Sequence, residues 1–435
     1  MSSDSEEDKI LEQLETNNPS LDDFCAKSDF KLSDAFGNAL SHNSVLTSLE
    51  ICSKIDDDTA RSLGNALAIN STLVELRTTR TDVSDTGIIA ICRSIVVSNS
   101  TITTLKFSAE KNVAFSVTAI AQMLSFSCTL TTLGFEMCKI GPAGGRVIAD
   151  GVSASASLTM LFLIDCVLGS AGGRAVAPVL SCCSLTVLKL HGNKLGNTGA
   201  IDLVEALATN STLTELSLCN NKIGESGTLA IARVLSFNRA LKKINLYCNE
   251  INGVGVSAIA EALEFNSTLS DLDLACNDIA DAGAESLARL LAFNSGLHRL
   301  DLFDNHIADV GAMALAKFVV SNTTLKELRL GENRITDAGA VAFANALLFN
   351  SALRDLSLDG NLITDLGTIS LFQKNFETNS TLTDLRVVKD NSFDKLCSRN
   401  SHNERARSAT LFGLLMRAIQ DAKLAQRLEA VFKKN

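Results

Sequence analysis

The feature that most constrains this chain of 435 residues is a phrase that returns at a nearly constant interval. The phrase reads L-x-x-L-x-L-x-x-N-x-I and is followed by a glycine and a stretch rich in leucine and alanine. A period kept over most of the chain indicates a stack of similar repeats rather than several globular domains. The first apolar residue of each phrase, its anchor, occurs every 27 to 29 residues, at Leu46, Leu73, Ile102, Leu130, Leu158, Leu185, Leu213, Leu241, Leu269, Leu297, Leu325, Leu353 and Leu382.

Each repeat predicts one strand, one loop and one helix. In the segment LTELSL (213–218), Leu216 and Leu218 alternate with polar residues, which is typical of a short strand. The alanine- and leucine-rich stretch has the apolar spacing of an amphipathic helix. We therefore expect an α/β solenoid shaped as a curved horseshoe, with about 13 repeats, a parallel concave sheet and convex helices.

Polar and small residues recur at fixed positions around each strand and predict structural roles. The side chains eight residues after each anchor are expected to form a ladder along the stack. Each would form hydrogen bonds with the backbone of its own repeat and of the adjacent repeat. Asn-Ser-Thr segments, as at Asn210 and Asn266, predict turns between helix and strand, and Asp281 and its equivalents predict helix caps. The ladder position is occupied by Cys138, Cys166, Asn193, Asn221, Asn249, Asn277, Asn305, Asn333 and Asn361.

These repeats resemble leucine-rich repeats of the ribonuclease-inhibitor type, as found in NOD-like receptors, Ran GTPase-activating proteins and tropomodulins. The resemblance covers residues 46 to about 390, and it implies the fold far more specifically than the function. The segments 10–24 and 396–407 are similar to the caps that close such arrays. The chain is thus divided into an N-terminal cap (1–45), the leucine-rich-repeat solenoid (46–390), and a C-terminal cap with an amphipathic basic helix (391–435).

The C-terminal segment leaves two interpretations open. Residues 409–433 carry an apolar stripe with basic neighbours, which predicts an amphipathic helix. This helix either seals the last coil or binds a partner groove or an anionic membrane surface.

Charge and motif content exclude several classes of function. The formal net charge of -10 disfavours nucleic acid as a partner. The sequence has no apolar run long enough for a membrane span, so no integral membrane contact is expected. The twelve cysteines form no CxxC pair and no signal peptide is evident, which favours the cytoplasm or the nucleus. Phosphate-loop, HExxH and Ser-His-Asp patterns are missing as well, so neither an enzyme nor a cofactor or metal is expected.

Side chains two, four, six and seven residues after each anchor are expected to face the concave side, where a partner would bind. Repeats four and five place apolar residues at these positions, and the position six residues after the anchor adds ring side chains in other repeats. In repeats nine to twelve acids predominate, which favours a partner with a basic surface and salt-sensitive binding. The candidate partner-binding residues are Met137, Met160, Phe162, Ile164, His191, Tyr247, Asp271, Asp273, Arg299, Asp301, Phe303, Arg329 and Asp355.

The function favoured by these features is a scaffold or regulator that binds another protein on the concave face. The resemblance implies two alternatives. One is a GTPase-activating protein of the Ran type, with Arg80 near the position of the activators' functional arginine. The other is a tropomodulin-like regulator of actin or the cytoskeleton.

Overall fold

The computed structural model describes residues 6–27, 32–52, 56–79, 85–97, 101–108, 116–126, 129–181, 184–368, 370–371 and 379–387. The chain divides into two compact units, unit 1 (Met1–Ile223) and unit 2 (Gly224–Asn435). Arg80 and the C-terminal region 391–435 lie outside the described residues. None of the described helices combines the length and hydropathy that a bilayer span requires.

Unit 1 alternates helices with short strands, as the period predicts. Its helices are α1 (Glu6–Glu15), α2 (Asp34–His42), α3 (Asp57–Leu67), α4 (Asp85–Val97), α5 (Ser116–Phe126), α6 (Gly141–Ala154), α7 (Gly172–Val176), a 3-10 helix (Ala177–Ser181) and α8 (Gly196–Leu207). Its strands are β1 (Asp23–Ala26), β2 (Ser48–Ile51), β3 (Glu75–Thr78), β4 (Thr104–Ser108), β5 (Thr132–Glu136), β6 (Met160–Ile164), β7 (Val187–Lys189) and β8 (Glu215–Ser217).

Unit 2 continues the same alternation. Its helices are α9 (Glu225–Leu235), α10 (Gly253–Glu264), α11 (Ala280–Phe293), α12 (Asp309–Val319) and α13 (Asp337–Leu347). Its strands are β9 (Lys243–Asn245), β10 (Asp271–Asp273), β11 (Arg299–Asp301), β12 (Glu327–Arg329), β13 (Asp355–Ser357) and β14 (Asp384–Arg386).

Within each unit the strands pair in parallel with their neighbours in sequence, which confirms the predicted α/β leucine-rich-repeat fold. The register joins equivalent residues, so that Leu272, Leu300 and Leu328 lie side by side and are fully buried. The helices contribute equally buried residues such as Leu287 and Leu315 to the core of unit 2. Alternate strand residues point away from this core, and we call the side they form the strand face.

The first strand precedes the first predicted repeat. β1 pairs in parallel with β2 although it lies in the predicted N-terminal cap, and Leu21, two residues before it, is buried like a repeat anchor. Leu21 lies 25 residues before Leu46, and this shorter spacing hides the strand from the periodic pattern. The predicted cap region therefore contains the first strand of the sheet as well as helices.

The asparagine ladder connects neighbouring repeats within a unit, as Asn333 illustrates. The Asn333 amide donates to the carbonyl oxygens of Leu302 and Leu330, at 2.9 and 3.1 Å. Its Oδ1 accepts hydrogen bonds from the backbone N–H groups of Asn305 and Ile307, at 3.0 and 2.9 Å. One side chain therefore satisfies buried backbone groups in two coils.

Two cysteines occupy the ladder position in unit 1. The Cys138 and Cys166 thiols donate to the carbonyl oxygens of Phe107 and Phe135, at 3.6 and 3.4 Å, and both side chains are fully buried. Burial raises the pKa of Cys166 far above its ordinary value. Such a thiol stays protonated and unreactive at neutral pH.

A second asparagine ladder lies at the turns between helices and strands. The Asn350 amide donates to the carbonyl oxygens of Val319 and Asn322, at 2.7 and 2.8 Å, while its Oδ1 accepts from the N–H groups of Ala352 and Leu353. This pattern explains why the Asn-Ser-Thr segments recur in phase with the repeat. The same donation to the preceding coil is made by Asn70, Asn210, Asn266, Asn294 and Asn379.

The helix-capping aspartates act on the helix of the following repeat. Asp281 belongs to the first turn of α11, yet its Oδ1 accepts from the N–H groups of Ala308 and Gly311 at the start of α12. Gly311 is required here because a Cβ atom would lie 2.8 Å from Asp281 Oδ1. Capping thus stabilises the contact between neighbouring repeats.

The fifth repeat departs from the regular helix. α7 has only five residues, and a 3-10 helix containing Pro178 follows it directly. Proline lacks the N–H that would continue an α-helix. Gly173 approaches the next repeat so closely that a Cβ atom would lie 1.8 Å from the carbonyl oxygen of Gly199.

Candidate functional site

The predicted partner-binding residues form two sets, one in each unit. Those of unit 1 are Met137, Met160, Phe162, Ile164 and His191, and those of unit 2 are Tyr247, Asp271, Asp273, Arg299, Asp301, Phe303, Arg329 and Asp355. The strands place most of them on the strand face by simple alternation, and each set is described separately.

The apolar patch of unit 1 consists of Met137, Met160, Phe162 and Ile164. Met137 and Met160 are 43% and 38% exposed, and Phe162 and Ile164 are half-buried. Two lysines flank the Phe162 ring, with the Nζ atoms of Lys106 and Lys189 at 5.4 and 5.3 Å from its centroid. The half-buried ring is thus held between two cations.

His191 lies on the C-terminal side of β7 and is half-buried. Its Nε2 lies 3.7 Å from the Sγ atom of Cys219, and its carbonyl oxygen accepts from the N–H group of Asp165. These contacts give His191 a fixed place at the margin of the strand face.

An arginine–carboxylate network covers the strand face of unit 2, and Arg299 lies at its centre. The Arg299 guanidinium contacts carboxylates on three successive strands, those of Asp271, Asp301 and Glu327, each at 3.0 Å. Burial by itself lowers the pKa of Arg299. Hydrogen bonds and charge contacts with Glu327 and Asp271 outweigh this effect, so that the pKa of Arg299 is raised overall. Arg299 is therefore permanently charged and held from three directions.

Two further arginines extend the network. Arg329 contacts Glu327 at 2.6 Å and Asp301 at 3.5 Å. Arg386 donates from one nitrogen to both carboxylate oxygens of Asp355, each at 2.7 Å. Arg386 belongs to the last repeat and was missed by the sequence analysis, although it occupies the same repeat position as Arg329.

Acids outnumber arginines in this network. Strands β10 to β14 carry three arginines and six carboxylates, and Asp359 lines the same groove as a seventh carboxylate, so the formal charge of this set is negative by four. The seven carboxylates are those of Asp271, Asp273, Asp301, Glu327, Asp355, Asp359 and Asp384. Neighbouring β9 places the exposed Lys243 beside Asp271. The excess of negative charge favours contact with a cationic surface.

Asp301 is positioned differently from the prediction. It is only 5% exposed, and its carboxylate lies beneath Arg299 and Arg329 while accepting from the N–H group of Phe303. Burial raises the pKa of Asp301, and the hydrogen bond and the two arginines oppose that rise. Asp301 therefore orients the arginines instead of facing a partner directly.

An open groove of about 370 Å³ lies over the network. Tyr247 and Phe303 contribute its aromatic surface, and Tyr247 is 39% exposed. The Phe303 ring rests on Gly331, where a Cβ atom would lie 2.9 Å from Phe303 Cδ2. The groove thus combines aromatic rings with fixed charges, as protein-binding surfaces often do.

The stability contributed by Asp273 should depend on pH. Burial raises the pKa of Asp273, and the opposing hydrogen bond from the N–H group of Ala275 does not cancel that rise. The folded state then holds the proton more tightly than the unfolded chain, so the ionised form lowers stability at neutral pH. We expect Asp273→Asn to raise stability by about 1 kcal/mol or less near pH 7, and by less near pH 4.

Urea unfolding followed by Tyr247 fluorescence measures this effect, because Tyr247 is the only tyrosine and the chain has no tryptophan. An equal loss of stability at both pH values would contradict the assigned cause.

One group of side chains away from this network has metal-ligand spacing in the described residues, namely Cys25, Glu50 and Cys52.

Comparison with known proteins agrees with the fold. The family model for the Leucine Rich repeat matches residues 126–149, 181–204, 209–232, 237–260, 265–288, 293–316 and 321–344. No curated protein matches the chain. The repeats and the observed strand–helix alternation define a leucine-rich-repeat protein, a class that generally provides scaffolds for binding other proteins.

Two solved structures illustrate the likeness. One is described as leiomodin-1 actin-binding site 2, with 22% identity and a TM-score of 0.29 over 34% of this chain and 90% of that one. The other is an internalin from Listeria monocytogenes str. 4b F2365, with 17% identity and a TM-score of 0.42 over 83% of this chain and 86% of that one. With TM-scores of 0.29 and 0.42, these two likenesses carry no argument about this chain.

Proposed function

We propose that this protein is a non-catalytic interaction scaffold that binds the basic surface of another protein on the strand face of unit 2. The observation that carries the proposal is the groove in which Tyr247 and Phe303 adjoin a rigid, net negative arginine–carboxylate network. Rigid charges and rings lose little conformational entropy when a partner binds.

The arrangement of the arginines supports recognition of a defined partner surface. Arg299 and Arg386 each engage carboxylates on neighbouring strands, so the remaining acidic oxygens are held at fixed positions. Fixed carboxylates favour partner lysines and arginines placed at matching distances, and they repel acidic surfaces. The network therefore supports selective binding rather than general adhesion.

The apolar patch of unit 1 is proposed as a second contact region. Met137 and Met160 expose flexible thioether side chains, which adapt to varied partner shapes. Phe162, held between two lysines, presents a rigid ring beside them. This combination suits an apolar partner segment with acidic flanks.

The charge contribution can be tested by capture and affinity measurement. Proteins retained by the immobilised full-length chain are identified by mass spectrometry, and the purified partner's Kd is measured across a salt series. The double variant Asp271→Asn/Asp355→Asn should weaken binding about tenfold or more and flatten the salt dependence, because it removes two fixed charges.

The matched control is Glu261→Gln/Glu264→Gln, which removes the same charge from exposed positions of α10. This control should keep the affinity of the native chain, because α10 lies away from the strand face. Equal weakening by both double variants would show that only total charge matters. Unchanged binding by Asp271→Asn/Asp355→Asn would reject the proposed surface.

A further inference from the structure

Two thiols and one carboxylate meet at the outer edge of unit 1. The Sγ atoms of Cys25 and Cys52 lie 3.5 Å apart, and a carboxylate oxygen of Glu50 lies within 4.8 Å of both. Cys25 is exposed, while Glu50 and Cys52 are half-buried. These atoms are therefore accessible from solvent without any opening of the core.

The parallel register explains why these residues meet. Cys25 of β1 is the register partner of Glu50 of β2, so both side chains lie on the strand face. Cys52 follows β2 two residues after Glu50 and points to the same side. The Cys52 N–H donates to the carbonyl oxygen of Ala26 at 2.8 Å, which fixes the end of one strand against the other.

We propose that Cys25, Cys52 and Glu50 bind a Zn²⁺ ion that joins the cap strand β1 to the first repeat. Thiolate and carboxylate ligands are both common in zinc sites, and three protein ligands leave the fourth tetrahedral position to water. The site would hold β1, the edge strand of the cap, more firmly against β2.

The distances suit tetrahedral zinc. A Zn–S bond is about 2.3 Å, so two sulfurs in tetrahedral coordination lie roughly 3.8 Å apart. The observed separation of 3.5 Å requires only a small adjustment. A carboxylate oxygen bound at about 2.0 Å would lie roughly 3.5 Å from each sulfur, within the range the cluster already spans.

The surroundings favour a cation. The carboxylate groups of Glu50 and Asp23 place negative charge beside the Cys25 thiol. This negative charge attracts a divalent ion, whose own charge then favours loss of the thiol proton. The nearby Arg77 is engaged with Glu75 at 2.7 Å. Thr79 donates its hydroxyl hydrogen to Cys52 Sγ at 3.1 Å, a contact that helps to orient this sulfur.

Cobalt substitution tests the site directly in the reduced full-length chain. Co²⁺ bound by thiolates produces a sulfur-to-metal charge-transfer band in the near ultraviolet and d–d bands typical of tetrahedral geometry. We expect one equivalent of Co²⁺ to produce these bands and one equivalent of Zn²⁺ to abolish them. Cys25→Ser and Cys52→Ser should each remove the bands, and Glu50→Gln should weaken Zn²⁺ binding about tenfold or more.

Cys248→Ser is the matched control, because Cys248 is another exposed cysteine on a repeat loop and should leave the bands intact. Thermal unfolding separates loss of a ligand from loss of the fold. Zn²⁺ should raise the Tm of the native chain and of Cys248→Ser but leave that of Cys25→Ser unchanged. Absence of thiolate bands in the native chain, or bands that persist in both Cys25→Ser and Cys52→Ser, would overturn the proposal.

Discussion

Replacing Asn333 by alanine should destabilise unit 2 by about 3–5 kcal/mol, because several buried backbone groups lose their partners together. Asn333 is 5% exposed, so water cannot easily replace its amide. The variant deprives the Leu302 carbonyl and the Asn305 and Ile307 N–H groups of this hydrogen-bond partner. Denaturant unfolding monitored by Tyr247 fluorescence reports on the same unit.

The control is Glu285→Ala, at an exposed position on α11. Glutamate and alanine are both good helix formers, so this change should alter stability by no more than about 0.5 kcal/mol. If Asn333→Ala were as mild as Glu285→Ala, the ladder would not connect neighbouring repeats energetically.

The double variant Tyr247→Ala/Phe303→Ala should weaken partner binding by about 2–4 kcal/mol, roughly 30-fold to 1000-fold in Kd. Both rings adjoin the network, and Phe303 fills the space above Gly331. Truncation removes apolar contact area. It also leaves the neighbouring charges more hydrated, which weakens their electrostatic attraction to the partner. Titration of the captured partner by calorimetry or interferometry measures the loss.

Phe265→Ala and Phe349→Ala are suitable controls, because both rings are 72% exposed at the ends of helices. They remove the same kind of side chain away from the strand face and should leave Kd within about twofold. If the controls lost as much affinity for the partner, the binding surface would lie on the helical side instead. Circular dichroism is the check that every variant is folded.

The sequence determines the fold of this protein to an unusual degree because the period is local and visible. The spacing of Leu269, Leu297 and Leu325 predicts three parallel strands, and the structure places those strands side by side. Side-chain alternation then predicts which residues face outward. The short first spacing after Leu21 breaks the period, which is why β1 was not anticipated as a strand.

Contacts between coils were less predictable. Arg299 was predicted only as one of the partner-binding residues, and the structure also gives it three carboxylate partners on successive strands. Asp301 is buried because two arginines lie above it. The pattern of a single repeat does not predict this burial. Cys25 and Cys52 are 27 residues apart and match no compact motif, yet neighbouring coils bring their sulfurs together.

Carboxyl footprinting of the full-length chain with and without its captured partner tests whether the strand face of unit 2 is the binding surface. Carbodiimide-driven labelling, read by mass spectrometry, reports the accessibility of each acidic side chain. We expect the partner to protect Asp271, Glu327 and Asp355 and to leave the labelling of Glu261, Glu264 and Glu285 on the helices unchanged. Protection of the helical acids, with no change at the strand face, would contradict this expectation.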